Sequence, residues 1–226
     1  MKPKAWSPTK IDTFANCPRQ FYGKYVSGEF AEDENDKSAE QKWGIFVHKQ
    51  FEDRLGVNTP LPKELSAHNP FMDEMAALPG TLFTERKVTM DKKLRPCSWY
   101  EREAFFRAIL DLTVVDAPKA VIVDYKTGKP HKKMRQLIIC SLWTFAAYPN
   151  VEEIDAKYYW TVNMTTTGDT FYRRDTDKLW GTLAGDLQQY KEAYHTDIWQ
   201  PRPSGLCNGW CPDTKCDHWR PKREKR

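Results

Sequence analysis

Apolar residues recur at helical spacing from the start of the chain. Ile11, Phe14, Phe21, Tyr22 and Tyr25 follow a capping Ser7 and a first-turn Pro8, which predicts a helix over 8–26. A second helix is predicted over 38–55, where Trp43, Val47, Phe51 and Leu55 form an apolar stripe and Gly44, His48 and Glu52 lie beside it at i, i+4 and i+8. The acidic stretch 29–37 between them reads as a loop. Prolines at 60, 62 and 70 then cut the chain into short pieces before a strand over 81–90, and 90–99 reads as loop again. Two runs rich in β-formers, 104–115 and 119–125, are joined by Asp116-Ala117-Pro118 and predict a hairpin. A helix over 132–147, strands over 156–164 and 170–173, and a final helix over 175–194 complete the order. This pattern predicts an α/β (mixed α+β) fold, with helices flanking one central mixed sheet. With no internal repeat and no long linker, residues 1–219 read as one domain. It comprises a helical elaboration over 1–80, a core over 81–195 and a cysteine-rich segment over 203–218, and a basic tail follows at 220–226.

Composition narrows the classes. The chain has 226 residues with 40% hydrophobic and 13% aromatic side chains, enough for a real core and unlike a disordered or collagenous chain. No apolar run reaches the roughly 18 residues a bilayer crossing needs, and Met1 to Trp6 lacks the apolar stretch of a signal peptide, so a cytoplasmic protein without a membrane partner is expected. The net charge of +4 is confined to the tail 220–226, and the remainder balances 30 basic against 30 acidic residues. Charge therefore gives little support for nucleic-acid binding, and the argument must come from a site. In a reducing compartment six cysteines do not form a disulfide framework. Cys97 and Cys140 read as packing residues.

The hairpin carries the first chemistry. Alternation along 119–126 puts Asp124 and Lys126 on one face, with Val121, Val123 and Tyr125 on the other. Asp111 lies in the preceding strand between apolar neighbours, where a carboxylate is expensive to bury alone. With a connecting loop of two or four residues the paired positions sum to 235, and Asp111 faces Asp124. Two carboxylates so placed repel unless a cation or a shared proton offsets them, and hard oxygen donors suit Mg²⁺ or Mn²⁺. Lys126 would then hold or deprotonate a water, or neutralise a phosphate. A three-residue loop would instead shift the register and leave Asp111 and Lys126 as a salt bridge. His48, with Gly44 clearing its face one turn earlier, is either a structural histidine or a further ligand. Glu85 is either a site residue or a surface charge beside Arg86. Lys126-Thr127-Gly128-Lys129 lacks the earlier glycine and the order of a phosphate-cradling loop. At the other end of the chain, Cys207, Cys211 and Cys216 place three thiols within ten residues, three-quarters of a metal-site count, and His218 lies two residues on.

Together these residues resemble the PD-(D/E)xK nucleases of the RecB-like branch, which includes CRISPR-associated RecB-like exonucleases and short phage-encoded homologues. Ser7-Pro8-Thr9-Lys10 and Cys17-Pro18-Arg19-Gln20-Phe21-Tyr22 are similar to that branch's first helix. Gly44 to His48 resembles its G-x3-H element, Asp111 its first acidic residue, Asp124-Tyr125-Lys126 its D-x-K element, and Gln136 the start of its Gln-x3-Tyr helix. Ala108 and Cys140 depart from the pattern, standing where Gly and Tyr are usual. The resemblance implies a restriction-endonuclease-like core acting on DNA, with metal ligands at His48, Asp111, Asp124 and the Tyr125 carbonyl. It further implies a catalytic Lys126, and Glu85 and Gln136 near the DNA or behind the ligands. For the thiols it implies a [4Fe-4S] cluster held by Cys17, Cys207, Cys211 and Cys216, with zinc or bare thiols as the alternatives. The resulting expectation is a Mg²⁺- or Mn²⁺-dependent deoxyribonuclease, an exonuclease leaving 5′-phosphates. Its rivals are a non-catalytic DNA-binding module on the same fold and a zinc-stabilised RNA-binding or interaction protein. Oligomeric state is not legible.

Overall fold

A computed structural model describes residues 5–30 and 37–221. Residues 222–226 of the expected basic tail, and 31–36 of the acidic loop, lie outside the described residues. The chain divides into two compact units, Lys37–Trp180 and Met1–Asp36 with Gly181–Arg226.

The larger unit holds the sheet: β1 (Thr81–Met90), β2 (Phe106–Asp116), β3 (Lys119–Lys126), β4 (Glu153–Trp160) and β5 (Thr165–Tyr172), hydrogen-bonded in sequence order. Neighbours are antiparallel except β3 and β4. A parallel pair needs a long crossover, and the helix Arg135–Ala147 supplies it. Earlier in this unit lie the helices Ala39–Val57 and Asn69–Ala76, the first opened by a capping box. In that box Ser38 Oγ accepts from the Gln41 amide at 3.3 Å, and the Ser38 amide donates to Gln41 Oε1 at 2.8 Å.

Val47, Phe51, Met72 and Met75 of these two helices pack on Leu112, Val114, Val123, Tyr125 and Tyr159 of the sheet. Each such side chain contributes about 1.5–3 kcal/mol on burial. The predicted stripe is shorter than expected: Val47 and Phe51 are fully buried, whereas Trp43 is 43% exposed and packs on Phe46. Spacing by four residues drifts about 40° per step at 3.6 residues per turn, so four such positions do not share one narrow face.

The hairpin turns on two residues, Ala117 and Pro118, with Asp116 paired to Lys119, and the register sums to 235 as expected. The larger shifts are in three elements: the crossover helix starts at Arg135 rather than 132, β4 spans Glu153–Trp160 rather than 156–164, and β5 runs from Thr165 rather than 170.

In the smaller unit the single helix expected over 8–26 is broken. A helix Pro8–Asn16 is capped by Ser7, whose Oγ accepts from the Lys10 amide at 3.3 Å. Cys17 is extended (φ −161°, ψ 110°), and a short helix restarts at Pro18–Phe21 before a wider-wound turn at Tyr22–Val26. The cause is local, because proline disfavours helical geometry in the residue before it and suits the first turn of the next helix. At the break the Cys17 amide still donates to the Thr13 carbonyl at 2.9 Å, and its carbonyl accepts from the Phe21 amide at 3.0 Å. Phe14, Phe21 and Trp6 form an aromatic core with Tyr190 of the last helix, Thr176–Thr196.

Candidate metal centre and cysteine site

Glu85, Asp111 and Asp124 fall on one rung of the sheet, and regular pairing lapses on that rung. The β1–β2 ladder runs Thr84↔Leu112 and resumes at Arg86↔Leu110, omitting Glu85 and Asp111. The β2–β3 ladder stops at Leu112↔Val123, one step short of Asp111 and Asp124. Glu85 adopts φ 45°, a left-handed conformation costing about 1–3 kcal/mol in a residue other than glycine, of the kind that collects at functional sites. The Tyr125 amide, released from the ladder, donates to Asp111 Oδ2 at 2.7 Å. Backbone hydrogen bonding has been exchanged for a carboxylate held inside the sheet.

His48 reaches this rung from its helix. Its Nδ1 lies 3.4 Å from Glu85 Oε1 and 3.4 Å from Asp111 Oδ2. One ligand atom from each of the three residues falls within 4.8 Å of the others. The other ring nitrogen, Nε2, is 3.1 Å from the Tyr125 carbonyl. Gly44 allows the helix to sit there: a Cβ on it would lie 3.3 Å from Thr127 Oγ1.

Asp124, one residue before Tyr125 and so on the opposite sheet face, is held by two groups. Lys126 Nζ is 2.6 Å from its Oδ2, and Gln136 Nε2 donates a short hydrogen bond to its Oδ1. Lys126 also donates to Gln136 Oε1 at 2.9 Å, so one amide orients both the acid and the ammonium. Glu85 Oε1 and Asp124 Oδ2 are buried, and the cations beside them are His48 Nδ1 at 3.4 Å and Lys126 Nζ at 2.6 Å.

The electrostatics follow from crowding. Burial pushes the Asp124 carboxyl well up, and the Asp111 charge adds to it against the opposing pull of Lys126 and His48. Burial disfavours the His48 imidazolium, yet contacts with Asp111 and Glu85 outweigh it and raise its pKa to about 10. Hard carboxylate oxygens and an imidazole nitrogen gathered within 4.8 Å fit a divalent cation.

Of the residues singled out in the sequence, His48, Glu85 and Asp111 form the tight group. Asp124, Lys126 and Gln136 form an adjoining triad, and the Tyr125 carbonyl faces His48. Ala108 is buried and pairs with Val88 across the β1–β2 ladder, and Cys140 is buried beneath Asp124 and Asp111, whose charges reinforce burial in raising its thiol pKa.

In the smaller unit Cys17, Cys207, Cys211 and Cys216 line one small cavity with Arg19, Asp213 and His218. All four are free thiols. Backbone amides of Arg202 and Ser204 donate to the sulfurs of Cys17 and Cys207, each at 3.4 Å. Such donors stabilise thiolate, so the set fits a thiolate-bound metal group. The sequence reading missed the clamp behind it: Arg19 Nε pairs at 2.5 Å with Asp213, a carboxylate that is 2% exposed. The two residues are 194 positions apart, and no local signal joins them.

A family model described as the PD-(D/E)XK nuclease superfamily matches residues 5–216. Among solved structures, a crystal structure from Eubacterium rectale, described provisionally as an exonuclease, is similar at 14% identity and TM-score 0.51. It covers 98% of this chain and 90% of that one. The crystal structure of SSO0001 is similar at 13% identity and TM-score 0.49, covering 93% and 84%. At these identities the likeness concerns the fold. No curated protein matches the chain.

Proposed function

This chain belongs to the PD-(D/E)XK nuclease superfamily, and on that premise we propose that it is a Mg²⁺- or Mn²⁺-dependent DNA exonuclease of the RecB-like branch. One observation carries the reading: two acids and a histidine converge where the sheet gives up its own hydrogen bonds, beside a third acid held by a lysine and an amide. His48, Glu85, Asp111 and Asp124 are the residues that would hold the ion. When bound, it supplies charge neutralisation at the phosphate and lowers the pKa of a water.

The chain's own residues do the rest. With its proton on Nε2, His48 donates to the Tyr125 carbonyl and presents a lone pair at Nδ1 toward Glu85 and Asp111. Lys126, anchored by Asp124 and Gln136, offers its ammonium to the charge that builds on the phosphate, or in neutral form accepts a proton from the attacking water. The new bond joins the water oxygen to phosphorus, and the bond to the leaving sugar oxygen breaks.

For the smaller unit the proposal is a [4Fe-4S] cluster on Cys17, Cys207, Cys211 and Cys216. Four thiols on one small cavity, two of them accepting from backbone amides, support that reading. The cluster's role would be to tie the first helices to the C-terminal segment.

The test is digestion of end-labelled linear and circular DNA with Mg²⁺, Mn²⁺ or chelator, after anaerobic purification with iron and sulfide analysis. Loss of linear DNA with circles spared, abolished by chelator and by Lys126→Ala, is expected. Undiminished cleavage by that variant removes Lys126 from the mechanism, and cut circles replace exonuclease by endonuclease.

A further inference from the structure

Arg86 follows Glu85 directly on β1, yet it does not pair with it, because the Glu85 carboxylate is turned to His48. Among the described residues its guanidinium pairs with no carboxylate, and its hydrogen-bond partner is the Tyr148 hydroxyl. Three rings surround it: Phe83 at 4.3 Å, Trp143 at 5.0 Å and Tyr148 at 5.5 Å from the guanidinium carbon. Arg19, Arg54, Arg95 and Arg173, by contrast, each contact an acid. A planar cation clamped by rings and left without a counter-charge is a preformed anion receptor, since the cost of ordering it is met before any ligand arrives.

The residue also borders open space. Arg86 lines a cleft of about 500 Å³ with Leu55, Gly56, Leu82, Phe83 and Thr84. That volume lies in the range of ligand sites, roughly 300–1,000 Å³. The cleft flanks the edge strand of the sheet, and its wall includes both neighbours of Glu85.

We infer that this cleft binds a phosphate of the nucleic-acid strand next to the one being cut, with Arg86 as the residue that recognises it. The inference rests on the nuclease reading and adds to it a means of setting where on the strand cleavage falls. The phosphate is either a terminal monoester or an internal diester, and both present the oxygens that a guanidinium fork engages.

The experiment compares the parent, Arg86→Met and Arg86→Lys in binding and in cleavage. Binding is followed by fluorescence anisotropy in Ca²⁺, over a series of salt concentrations, with single-stranded oligonucleotides ending in 5′-phosphate, 3′-phosphate or hydroxyl. Cleavage in Mn²⁺ uses the same strands and a circular strand. Arg86→Met is expected to weaken binding about 10- to 100-fold and to flatten the salt slope by about 0.7, the share of one phosphate contact on a single strand. Arg86→Lys should restore part of both. If weakening is confined to one phosphorylated end, the receptor takes a terminal group; if hydroxyl-ended and circular strands weaken equally, it takes an internal one. An unchanged salt slope in Arg86→Met, with a melting temperature equal to the parent's, overturns the inference. Failure of the parent to cut any strand overturns the nuclease reading, and the binding series still decides on Arg86.

Discussion

Asp124→Asn should stabilise the metal-free protein while abolishing its activity. Asp124 is 4% exposed, and burial together with the Asp111 charge raises its pKa from 3.8 to about 7. Because the folded pKa lies above the unfolded one, the unfolded chain releases this proton first. Stability therefore falls as pH rises from about 4 and is lowest above about 7. A shift of roughly three units at about 1.4 kcal/mol each sets a ceiling of about 4 kcal/mol. Asparagine removes the charge but turns an amide toward Lys126, a donor facing a donor, which returns about 1–2 kcal/mol. The expected net gain is about 2 kcal/mol at pH 8 in chelator, a rise in Tm of about 4–8 °C for a chain of this size. Thermal melts of parent and variant at pH 4.5 and pH 8, with chelator and with Mn²⁺, measure it. The gain should vanish at pH 4.5, Mn²⁺ should stabilise the parent far more than the variant, and cleavage by the variant should fall at least about 100-fold. A variant less stable than the parent at pH 8 in chelator, or a difference indifferent to pH, would refute the crowding argument.

Further outcomes follow from the same geometry. Lys126→Met should lower single-turnover cleavage about 10²- to 10³-fold with Mn²⁺ affinity retained, since the lysine neutralises charge without being a ligand; calorimetry showing lost Mn²⁺ binding would point to a structural role. His48 is protonated below about 10 in the metal-free state, so Mn²⁺ binding at pH 7–8 should release about one proton and tighten as pH rises. Titration in buffers of different ionisation enthalpy reads this directly, and an affinity equal at pH 7 and 8.5 contradicts it. Burial raises the Cys140 thiol pKa, so a thiol reagent at pH 8 should label it only after denaturation. Peptide mapping of native, labelled protein checks that, and labelled Cys140 would mean the helix above the acids opens readily.

On the proposed reading the acids carry a stability cost because they would hold an ion, and the strain at Glu85 has the same sense. A carboxylate rung without its cation is a folding liability, as functional sites commonly are. The surrounding fold offsets this through the core between the Ala39–Val57 helix and the sheet.

Local signals by themselves determined that the five strands exist and where the hairpin turns. Alternation and Asp116-Ala117-Pro118 specified the hairpin but left its loop at two, three or four residues, and the two-residue loop of the structure selects the register that puts Asp111 and Asp124 on one rung. The break at Cys17 was also present in the sequence, in Pro18, although helical spacing obscured it. Tertiary structure alone decided which carboxylates gather. Local pattern leaves Glu85 open between a site residue and a surface charge because its partners lie 26 and 37 positions away, and only the lapse of two ladders at one level, with a helix crossing above them, draws it to Asp111 and His48. The Arg19–Asp213 clamp and the ring cage around Arg86 belong to the same class. Chain pattern sets backbone geometry over a few residues, whereas contacts between distant side chains depend on how whole elements pack.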